Sequence, residues 1–380
     1  MTARDPLETL ALEVGGNSLT GWSEVEIDYG VEDTARVARL VISDFDGGLT
    51  IRPDMPATIK ASGDLIITGF VRDVEPEHDE ESHKVVVTVV SKAVDLVETS
   101  IDHPTGYVSK KDVGEIGKAF DTEGVGVEVD EDFPVEPASF VNSGDSWFYH
   151  MEPLTRSHGA FIYDTPEGKV RIALKPRGRH AGSLSIGDGG NIIAANAKLT
   201  GKARYSEVIV RGQASRGQGS AALQIEARAK DGSVGRSRKR IVVHESETTA
   251  GKLKRRAKRE MDRAAGSSRE ANITVSGWRD ENGRIFEPHF LIAVDDPRIY
   301  LQQDMAIKSV RLTQVIEEGG PGTRAELSLC DPRALNGEKP AKAKAAQGKA
   351  TAAEEASDVW DTPDESPTMS APTGRVGVDY

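Results

Sequence analysis

The chain has 380 residues, of which 37% are hydrophobic and 29% charged, and its formal net charge is −13. This composition suits several small domains better than one large core, and no apolar run approaches the roughly 18 residues that a membrane helix needs. One cysteine, Cys330, excludes an intrachain disulfide and a cysteine-based zinc cluster. The acidic balance disfavours general binding to the nucleic acid backbone.

The first hundred residues carry a period-two alternation of apolar and polar residues, which is typical of half-buried strands. The predicted strands are 22–29, 36–42, 57–61, 65–71 and 84–91. Gly69 indicates a bulge or sharp bend, and residues 75–83 are predicted to be a polar loop. Short strands separated by turn signals predict a small antiparallel β-barrel or sandwich over residues 1–102.

The pattern changes after Ile101, and residues 103–198 are predicted to form an α+β domain. The expected helices, each with its candidate N-cap, are 110–123 after Ser109 and 146–158 after Ser143 or Asp145. A β-hairpin over residues 161–174 follows the second helix.

Strand patterns then return and predict a second small barrel that an insertion interrupts. Its first part is residues 199–245, the basic helix and strand of the insertion are residues 246–278, and the remainder is residues 279–335. Strands are expected at 194–200, 206–212, 222–229, 240–244, 271–278, 290–293, 304–314 and 323–330. The predicted fold class is therefore mainly β with α+β: two small antiparallel β-barrels, an α+β domain and a helix–strand insertion.

The composition from residue 336 onward is dominated by Ala, Lys, Glu, Pro, Ser and Thr. Such a segment buries too little apolar surface to offset its ordering entropy, so residues 336–380 are predicted to be an extended low-complexity tail. Trp360 and Tyr380 are its candidate anchors to a partner.

A search for catalytic or nucleotide-binding motifs finds no Walker loop, HExxH, GxSxG or CxxC. Two glycine clusters, 187–190 and 217–222, precede strands rather than helices, so turns are predicted instead of phosphate sites. His78 and His83 flank three acidic residues. A metal site is conceivable there, but the pattern favours a solvated hairpin loop.

The remaining reactive residue types also favour structural roles. Asp295 and Asp296 precede a proline, which is typical of a turn and is weak evidence for hydrolysis. Cys330 closes a predicted strand, where a small buried thiol is the common case. We therefore predict no catalytic residue, no cofactor and no metal ligand.

A basic helix is the strongest local charge feature, with seven cationic residues between Lys252 and Arg263. Acidic residues interrupt it, and no aromatic residue is present for base stacking. A solvated or subunit-facing helix is favoured, while contact with an acidic partner or with passing DNA stays open. The candidate partner contacts on this helix are Lys254, Arg255, Arg256 and Arg259.

A series of short motifs, in this order and spacing, resembles the baseplate hub protein of Mu-type contractile bacteriophages. The motifs are Gly21-Trp22, Arg52-Pro53-Asp54, Ile67-Thr68-Gly69-Phe70-Val71, Ser91-Lys92, Asp95-Leu96-Val97-Glu98, Tyr205-Ser206-Glu207, Gly212-Gln213, Gly277-Trp278-Arg279 and Val294-Asp295-Asp296-Pro297. The resemblance extends over residues 8–335. That family is related in fold to the late control protein D class and to the hub part of the VgrG spikes of type VI secretion.

The resemblance implies a homotrimer that is structural and not an enzyme. Each subunit would contribute two similar barrels, so that three chains present six barrels in a ring and adapt a sixfold tail tube to a threefold spike. The implied partners are the tail tube or a tube-terminating protein, the central spike and baseplate wedge proteins. DNA would pass through the lumen transiently, where acidic walls would oppose its adsorption. No stable membrane association is expected.

The implied location is the tail baseplate of the virion, after synthesis in the bacterial host cytoplasm. A single cysteine is compatible with a reducing compartment. Two other functions stay open. A tail-tip cell-wall hydrolase would need a concave carboxylate pair, and a DNA-contacting tail protein would show salt-sensitive retention of DNA through the basic helix.

Overall fold

The computed structural model describes residues 7–31, 33–43, 51–80, 83–213, 224–244, 250–316 and 320–340. The described residues divide into two compact units. The first lies within Met1–Arg204 and Asp262–Ala345, and the second within Tyr205–Met261.

The elements are numbered in chain order. The strands are β1 (Leu10–Val14), β2 (Asn17–Leu19), β3 (Glu24–Gly30), β4 (Val37–Ser43), β5 (Pro56–Ala61), β6 (Asp64–His78), β7 (His83–Ser91), β8 (Tyr107–Lys111), β9 (Val127–Val129), β10 (Glu136–Phe140), β11 (Phe161–Asp164), β12 (Val170–Ala173), β13 (Gly178–Ser185), β14 (Ile192–Leu199), β15 (Glu207–Gln213), β16 (Gln224–Lys230), β17 (Lys239–Val243), β18 (Arg269–Ser276), β19 (Phe290–Asp296), β20 (Leu301–Val315) and β21 (Gly322–Cys330). The helices are α1 (Asp95–Glu98), α2 (Val113–Phe120), α3 (Trp147–His158) and α4 (Ala250–Gly266), with 3-10 helices at Lys92–Val94, Pro297–Ile299 and Pro332–Leu335.

One large sheet dominates the first unit. Its strand order is β14-β18-β21-β20-β3-β4-β7-β6-β5-β1-β2, with β19 also paired to β20 and β13 paired to β19. Strand β3 shows why the sequence folds this way, because Val25, Ile27 and Tyr29 alternate with acidic residues and are buried in one core. The predicted class, mainly β with α+β, is confirmed.

The strands predicted for the first hundred residues are confirmed, but the prediction missed β1 and β2 and shortened β6. Residues 75–78 belong to β6, so the predicted polar loop was wrong there. Their polar composition reflects an exposed strand and not a loop. The predicted bulge lies between Val71 and Asp73 rather than at Gly69. Gly69 instead allows close approach, because a Cβ there would lie 1.8 Å from the carbonyl oxygen of Val90.

Helix α2 begins later than predicted because a different residue caps it. The Asp112 carboxylate accepts a hydrogen bond from the Glu115 amide (2.8 Å), and the Glu115 carboxylate accepts one from the Asp112 amide (3.1 Å). This reciprocal capping box satisfies two helix-end donors. Ser109, the predicted cap, lies in strand β8.

Helix α3 was predicted correctly in position but with the wrong cap. The Ser146 hydroxyl accepts a hydrogen bond from the Tyr149 amide (3.3 Å). Asp145, one of the two predicted caps, accepts hydrogen bonds from Asn142 instead, and Ser143 lies three residues before Ser146. A cap works only at one position relative to the first helical turn, and neighbouring hydroxyl and carboxyl residues make that position ambiguous in sequence.

The second unit contains a three-stranded sheet, β16-β15-β17, and most of helix α4. Val208 and Val210 of β15 pack against Leu253, Ala257 and Met261 of the helix. The prediction that residues 207–243 join a second barrel was wrong, because they form this separate sheet. Strand β18, assigned to the insertion, lies inside the large sheet. Strand periodicity does not identify the sheet in which a strand pairs.

The described chain ends at residue 340, so Trp360 and Tyr380 lie outside the described residues, as does the glycine cluster at 217–222. Asn336 marks the end of the core, because its side-chain amide donates hydrogen bonds to the carbonyls of Gly159 (2.6 Å) and Leu174 (3.0 Å). Within the described ranges, the helices are too short or too polar to span a membrane.

The buried imidazole of His289 makes the fold sensitive to acid. Burial lowers the pKa of His289 to about 4, whereas an unfolded histidine titrates near 6.5. The unfolded chain therefore takes up this proton first, so stability is complete above about pH 6.5 and is lost as the pH falls towards about 4.

Between about pH 7.5 and about pH 5, protonation of His289 in the unfolded chain should lower the free energy of unfolding by about 2 kcal/mol. We expect His289→Asn to lack this part of the pH dependence. Asparagine tolerates the left-handed backbone of this position, where φ is 62°. Urea unfolding at the two pH values measures the effect, with the exposed His78→Asn as matched control. An unchanged pH dependence in His289→Asn would show that this residue does not carry the acid sensitivity.

Candidate assembly interface

Two halves of the large sheet repeat one strand order. The first module is β3-β4-β7-β6-β5-β1, and the second module is β14-β18-β21-β20-β19-β13. Each strand of the first module has a counterpart at the same place in the second. The modules differ at the last place, since β1 is antiparallel to β5 while β13 is parallel to β19.

The modules also agree in local detail. The fourth strand of each, β6 or β20, is 15 residues long and carries a bulge, between Val71 and Asp73 or between Ile307 and Ser309. Each third strand, β7 or β21, runs directly into a 3-10 helix. The side chain before that helix caps it, with Ser91 accepting from an amide at 3.3 Å and Asp331 at 3.0 Å.

The connections between equivalent strands explain the insertions. Residues 31–36 join β3 to β4 in the first module, whereas residues 200–268 join the equivalent strands β14 and β18. The second unit is therefore an insertion at a site where the first module has a short turn. The α+β segment with helices α1 to α3 lies in the chain between the two modules.

The modules are joined inside the chain by strand pairing. Residues Ser309–Val315 of β20 pair antiparallel with Gly30–Glu24 of β3. The guanidinium of Arg311 donates to the carboxylate of Asp28 (2.7 Å) across this ladder. We name this β20–β3 ladder the intrachain junction. Only the end of β20 takes part, because its beginning pairs with β19.

A Gly-Trp-Arg motif adds side-chain contacts between the modules. Trp278 is buried and donates its indole N–H to the carbonyl of Thr313 (3.0 Å). Arg279 forms ion pairs with Glu8 (2.6 Å) and with Asp64 in the first module. In this motif, which carried part of the family resemblance, Arg279 therefore links the two modules and Trp278 makes its hydrogen bond within the second module.

A buried ionic cluster links both modules to the α+β segment. The guanidinium of Arg36, which directly precedes β4, contacts Asp164 of β11 (3.2 Å) and Glu287 ahead of β19 (2.8 Å). The same guanidinium lies 4.4 Å from the ring centre of Tyr29. Burial raises the pKa of Asp164 to about 6, although Arg36 opposes this shift. No sequence motif indicated this cluster, because its members are more than 100 residues apart.

Part of the side of the large sheet opposite the core forms a polar groove. A groove of about 610 Å³ crosses strands β14, β18, β21, β20 and β3 on this face. Its lining includes Asp28, Asn196, Asn272, Arg311 and Glu326. The groove is therefore a polar surface and not an apolar ligand pocket.

The basic helix presents its cations away from the apolar contacts of α4. Lys254 and Arg255 are exposed, whereas Arg256 and Arg259 are partly buried. Arg256 also contacts the ring of His244 at the end of the small sheet. The structure therefore separates the four candidate contacts into two accessible and two partly covered residues.

The other candidate residues have structural surroundings. His78 and His83 face each other across the β6–β7 hairpin, and no group of three or more possible metal ligands occurs in the described part of the chain. The Asp296 carboxylate caps a 3-10 helix, accepting from the Arg298 amide (2.9 Å). The glycine cluster at 187–190 is a turn, and Cys330 is buried.

Comparisons with known proteins match both modules. The family model described as Mu phage baseplate assembly protein GpP-like, N-terminal, matches residues 9–89, and that of Mu phage baseplate assembly protein GpP, fourth domain, matches residues 248–338. Baseplate hub protein gp44 of Escherichia phage Mu is 21% identical over 338 residues, which cover 84% of this chain and 87% of that protein.

Solved structures share the fold. The 43 kDa tail protein of prophage MuSo2 from Shewanella oneidensis has a TM-score of 0.74 at 26% identity, with 87% of this chain and 99% of that chain covered. The E. coli c3393 protein, a component of the type VI secretion system, has a TM-score of 0.53 at 8% identity. Those matched residues cover 84% of this chain and 76% of that chain.

The two family models, one in each module, and these relatives support a structural protein of phage baseplates. The resemblance predicted from sequence is confirmed. The chain is a homologue of the Mu baseplate hub protein and carries regions that match the N-terminal and fourth domains of the GpP family.

Proposed function

We propose that three copies of this chain form the hub of a contractile-tail baseplate, a ring that adapts a sixfold tail tube to a threefold spike. The observation that carries the proposal is the repetition of one strand order in two modules. Three chains then present six equivalent modules. The contacts that close such a ring are heterologous, with two different surfaces meeting at each interface.

The proposed partners follow from this geometry. The six modules provide repeated contacts for the tail tube or a tube-terminating protein, and the three chains provide contacts for the central spike. Wedge proteins of the baseplate would contact the outside. The name of the Mu relative, a baseplate hub protein, supports this arrangement. The protein would act in the virion after synthesis in the host cytoplasm.

We propose that the side of the large sheet opposite the core, which carries the polar groove, lines the lumen through which DNA passes. In the first module this side of the sheet carries Glu24, Glu26 and Asp28 on β3, with Asp73 and Glu75 on β6. Their negative charge would oppose adsorption of DNA phosphates. An image of the assembled ring with these carboxylates on its outer surface would remove this role.

The basic helix is proposed as a contact for an acidic protein partner. Lys254 and Arg255 are its accessible cations, Arg256 and Arg259 lie closer to the small sheet, and Trp360 and Tyr380 would anchor the tail on a neighbour. Changing Lys254 and Arg255 to Ala should weaken co-assembly with that partner. Salt-sensitive retention of DNA, lost in the same variant, would instead favour a DNA-contacting role.

A cell-wall hydrolase has little support from the side-chain arrangement. The carboxylates that sequence reasoning considered, Asp295 and Asp296, lie at a strand end where Asp296 is a buried cap. The homologous proteins are structural components of tails and baseplates. Clearing of peptidoglycan by the purified chain in a zymogram would contradict a purely structural role.

Native mass spectrometry of the full chain tests the trimer. We expect the main species at three times the chain mass of 40.9 kDa. Monomers or dimers at every concentration, or a closed ring of another size, would contradict the proposal. A variant that ends at residue 340 separates the contribution of the tail from that of the modules. The trimer should persist without the tail if the modules carry the assembly.

A further inference from the structure

Several strand edges of the large sheet have no partner strand among the described residues, and two of them, the end of β6 and β14, lie one in each module. In the first module, β6 pairs with β5 as far as Phe70, and residues 73–78 pair with β7 alone. In the second module, β14 pairs with β18 alone. An exposed edge presents a row of N–H and C=O groups that can pair with another chain.

These two edges are the counterparts of two strands that pair inside the chain. The end of β6 has the place in the first module that the end of β20 has in the second. Likewise, β14 has the place of β3. Because β20 and β3 form the intrachain junction, the same pairing is available between a β6 edge and a β14 edge of two different copies. The partner that fits both edges is therefore a second copy of this chain.

We propose that the end of β6 in one protomer pairs antiparallel with β14 of the next, repeating the intrachain junction between protomers. This interface rests on the proposed trimeric ring and specifies how that ring closes. Three junctions inside chains and three between chains would then alternate around one continuous sheet.

The bulges fix the register on the β6 side. Arg72 and Lys308 are the extra residues of the two bulges, so Asp73 corresponds to Ser309 and Glu75 to Arg311. The β14 side is aligned in two steps. The register of β18 against β21 is the same as that of β4 against β7, and the register of β14 against β18 is the same as that of β3 against β4.

The alignment on this second side places Lys198 where Asp28 stands. The intrachain pair of Arg311 with Asp28 thus becomes Glu75 opposite Lys198 of the next protomer. The charges are again opposite, in reversed order, and both side chains are exposed in the single chain. Opposite charges placed directly across two strands favour their pairing.

An apolar pair lies next to this charge pair. Inside the chain, Val310 stands opposite Tyr29, which is 1% exposed. The equivalent pair between protomers is Val74 opposite Leu199. Leu199 is 47% exposed in the single chain, whereas Tyr29, the equivalent residue of the first module, is buried. Pairing with β6 would cover this leucine, which favours the interface through removal of apolar surface from water.

Pro76 introduces one difference from the intrachain junction. It has the place of Leu312, which pairs with Ile27, and proline has no N–H to donate. The ladder between protomers therefore has one donor fewer. A proline on an edge also discourages other strands from adding to it, which limits wrong pairings before assembly.

Disulfide trapping tests this register. In the intrachain junction, the Lys308 carbonyl accepts from the Val31 amide (2.8 Å), and the Ile316 amide donates to the Ser23 carbonyl (3.0 Å). Hydrogen-bonded and non-hydrogen-bonded residue pairs alternate along the ladder between these two bonds. By this alternation, Arg311 and Asp28 are a non-hydrogen-bonded pair. Such pairs have Cα atoms about 4.5 Å apart, within the range of a disulfide.

The chain with Glu75→Cys and Lys198→Cys should therefore shift on oxidation from the mass of one chain to a covalent trimer, visible on a non-reducing gel. Each single variant should stay at the mass of one chain, because the native cysteine is buried. The variant Asp28→Cys with Arg311→Cys is the matched control. It should form a disulfide within the chain and no covalent oligomer.

A second control shifts the register. Glu75→Cys with Ala194→Cys places the thiols four residues apart along the strand, about 13 Å, and should not cross-link. Charge reversal gives an independent readout. Glu75→Lys should reduce the trimer fraction in native mass spectra, and addition of Lys198→Glu should restore it.

The outcomes separate this interface from the ring itself. If the unmodified chain is not a trimer, the proposed function and the interface both fail. If it is a trimer but the Glu75–Lys198 cysteine pair does not cross-link, or only the shifted pair does, the interface is wrong and the ring stands. Formation of the intrachain control disulfide shows that the oxidation conditions cross-link a directly opposed pair of this kind, and a melting temperature close to that of the unmodified chain shows that the Glu75–Lys198 cysteine variant is folded.

Discussion

Replacement of Arg36 by Met should lower the free energy of unfolding by roughly 3–5 kcal/mol, the usual cost of leaving a buried charge uncompensated. The substitution keeps an apolar chain of similar reach but leaves the Asp164 carboxylate buried without its cation. Glu287, which is partly exposed, also loses its ion pair. Because three segments of the chain meet at this guanidinium, the loss should affect both modules and the α+β segment together.

The pH dependence gives this prediction a specific signature. Without Arg36, the pKa of Asp164 should rise above its present value of about 6. The variant then binds a proton in the folded state that the unfolded chain releases, so its stability falls as the pH rises. The deficit should be larger at about pH 7.5 than at about pH 5.

Urea unfolding at both pH values measures this deficit. Arg39→Met changes an exposed arginine three residues further along the chain, in β4; it is the matched control and should change stability by less than about 0.5 kcal/mol. An equal effect of the two substitutions would show that the buried cluster contributes nothing particular.

Substitution of Gly69 by Ala should cost about 3 kcal/mol, the upper end of the range for overpacking. A Cβ at this position would lie 1.8 Å from the carbonyl oxygen of Val90 and 2.8 Å from the amide of Lys92. Both are backbone atoms, so no side chain can move aside. Strands β6 and β7 would have to separate at Ser91, where their ladder begins and where the 3-10 helix is capped.

A second glycine provides the control for this prediction. A Cβ added at Gly201 would meet no atom of the described residues within 4 Å, and its φ is ordinary, so Gly201→Ala should be nearly neutral. The melting temperatures of both variants measure the difference. Wild-type stability in Gly69→Ala would mean that the strands separate without cost. In the second module, the equivalent position is Met305, and there the ladder begins one residue later, at Ala306.

The sequence predicted the strands well where one face is buried and the other is wet. Apolar and polar residues alternate in β3 and β21, and β7 is a run rich in valine; the positions of all three strands were predicted correctly. The end of β6 was assigned to a loop because residues 75–78 are polar. The side chains of residues 75–78 are exposed on both faces of the strand, so this stretch lacks the apolar alternation that identifies half-buried strands.

Topology was harder to predict than the elements. The two-module organisation was indicated by the order of motifs and by the family resemblance, but strands β15–β17 were placed in the wrong sheet. Their alternation is the same whichever sheet they join, and only the pairing of β18 with β21 shows where the second module resumes. The Arg36 cluster was invisible for a related reason, since long-range ion pairs leave no local pattern.

The central claim is that two like modules in each chain let three chains imitate a sixfold ring. Electron cryomicroscopy of the purified trimer tests it most directly, by the angle that relates successive modules around the ring axis. We expect six modules at steps of about 60°, with three of the contacts between modules inside chains and three between chains. The claim would be contradicted if the two modules of a chain lay at different distances from the ring axis, or if the angles between successive modules alternated between two values. A ring with a different number of chains would also contradict it.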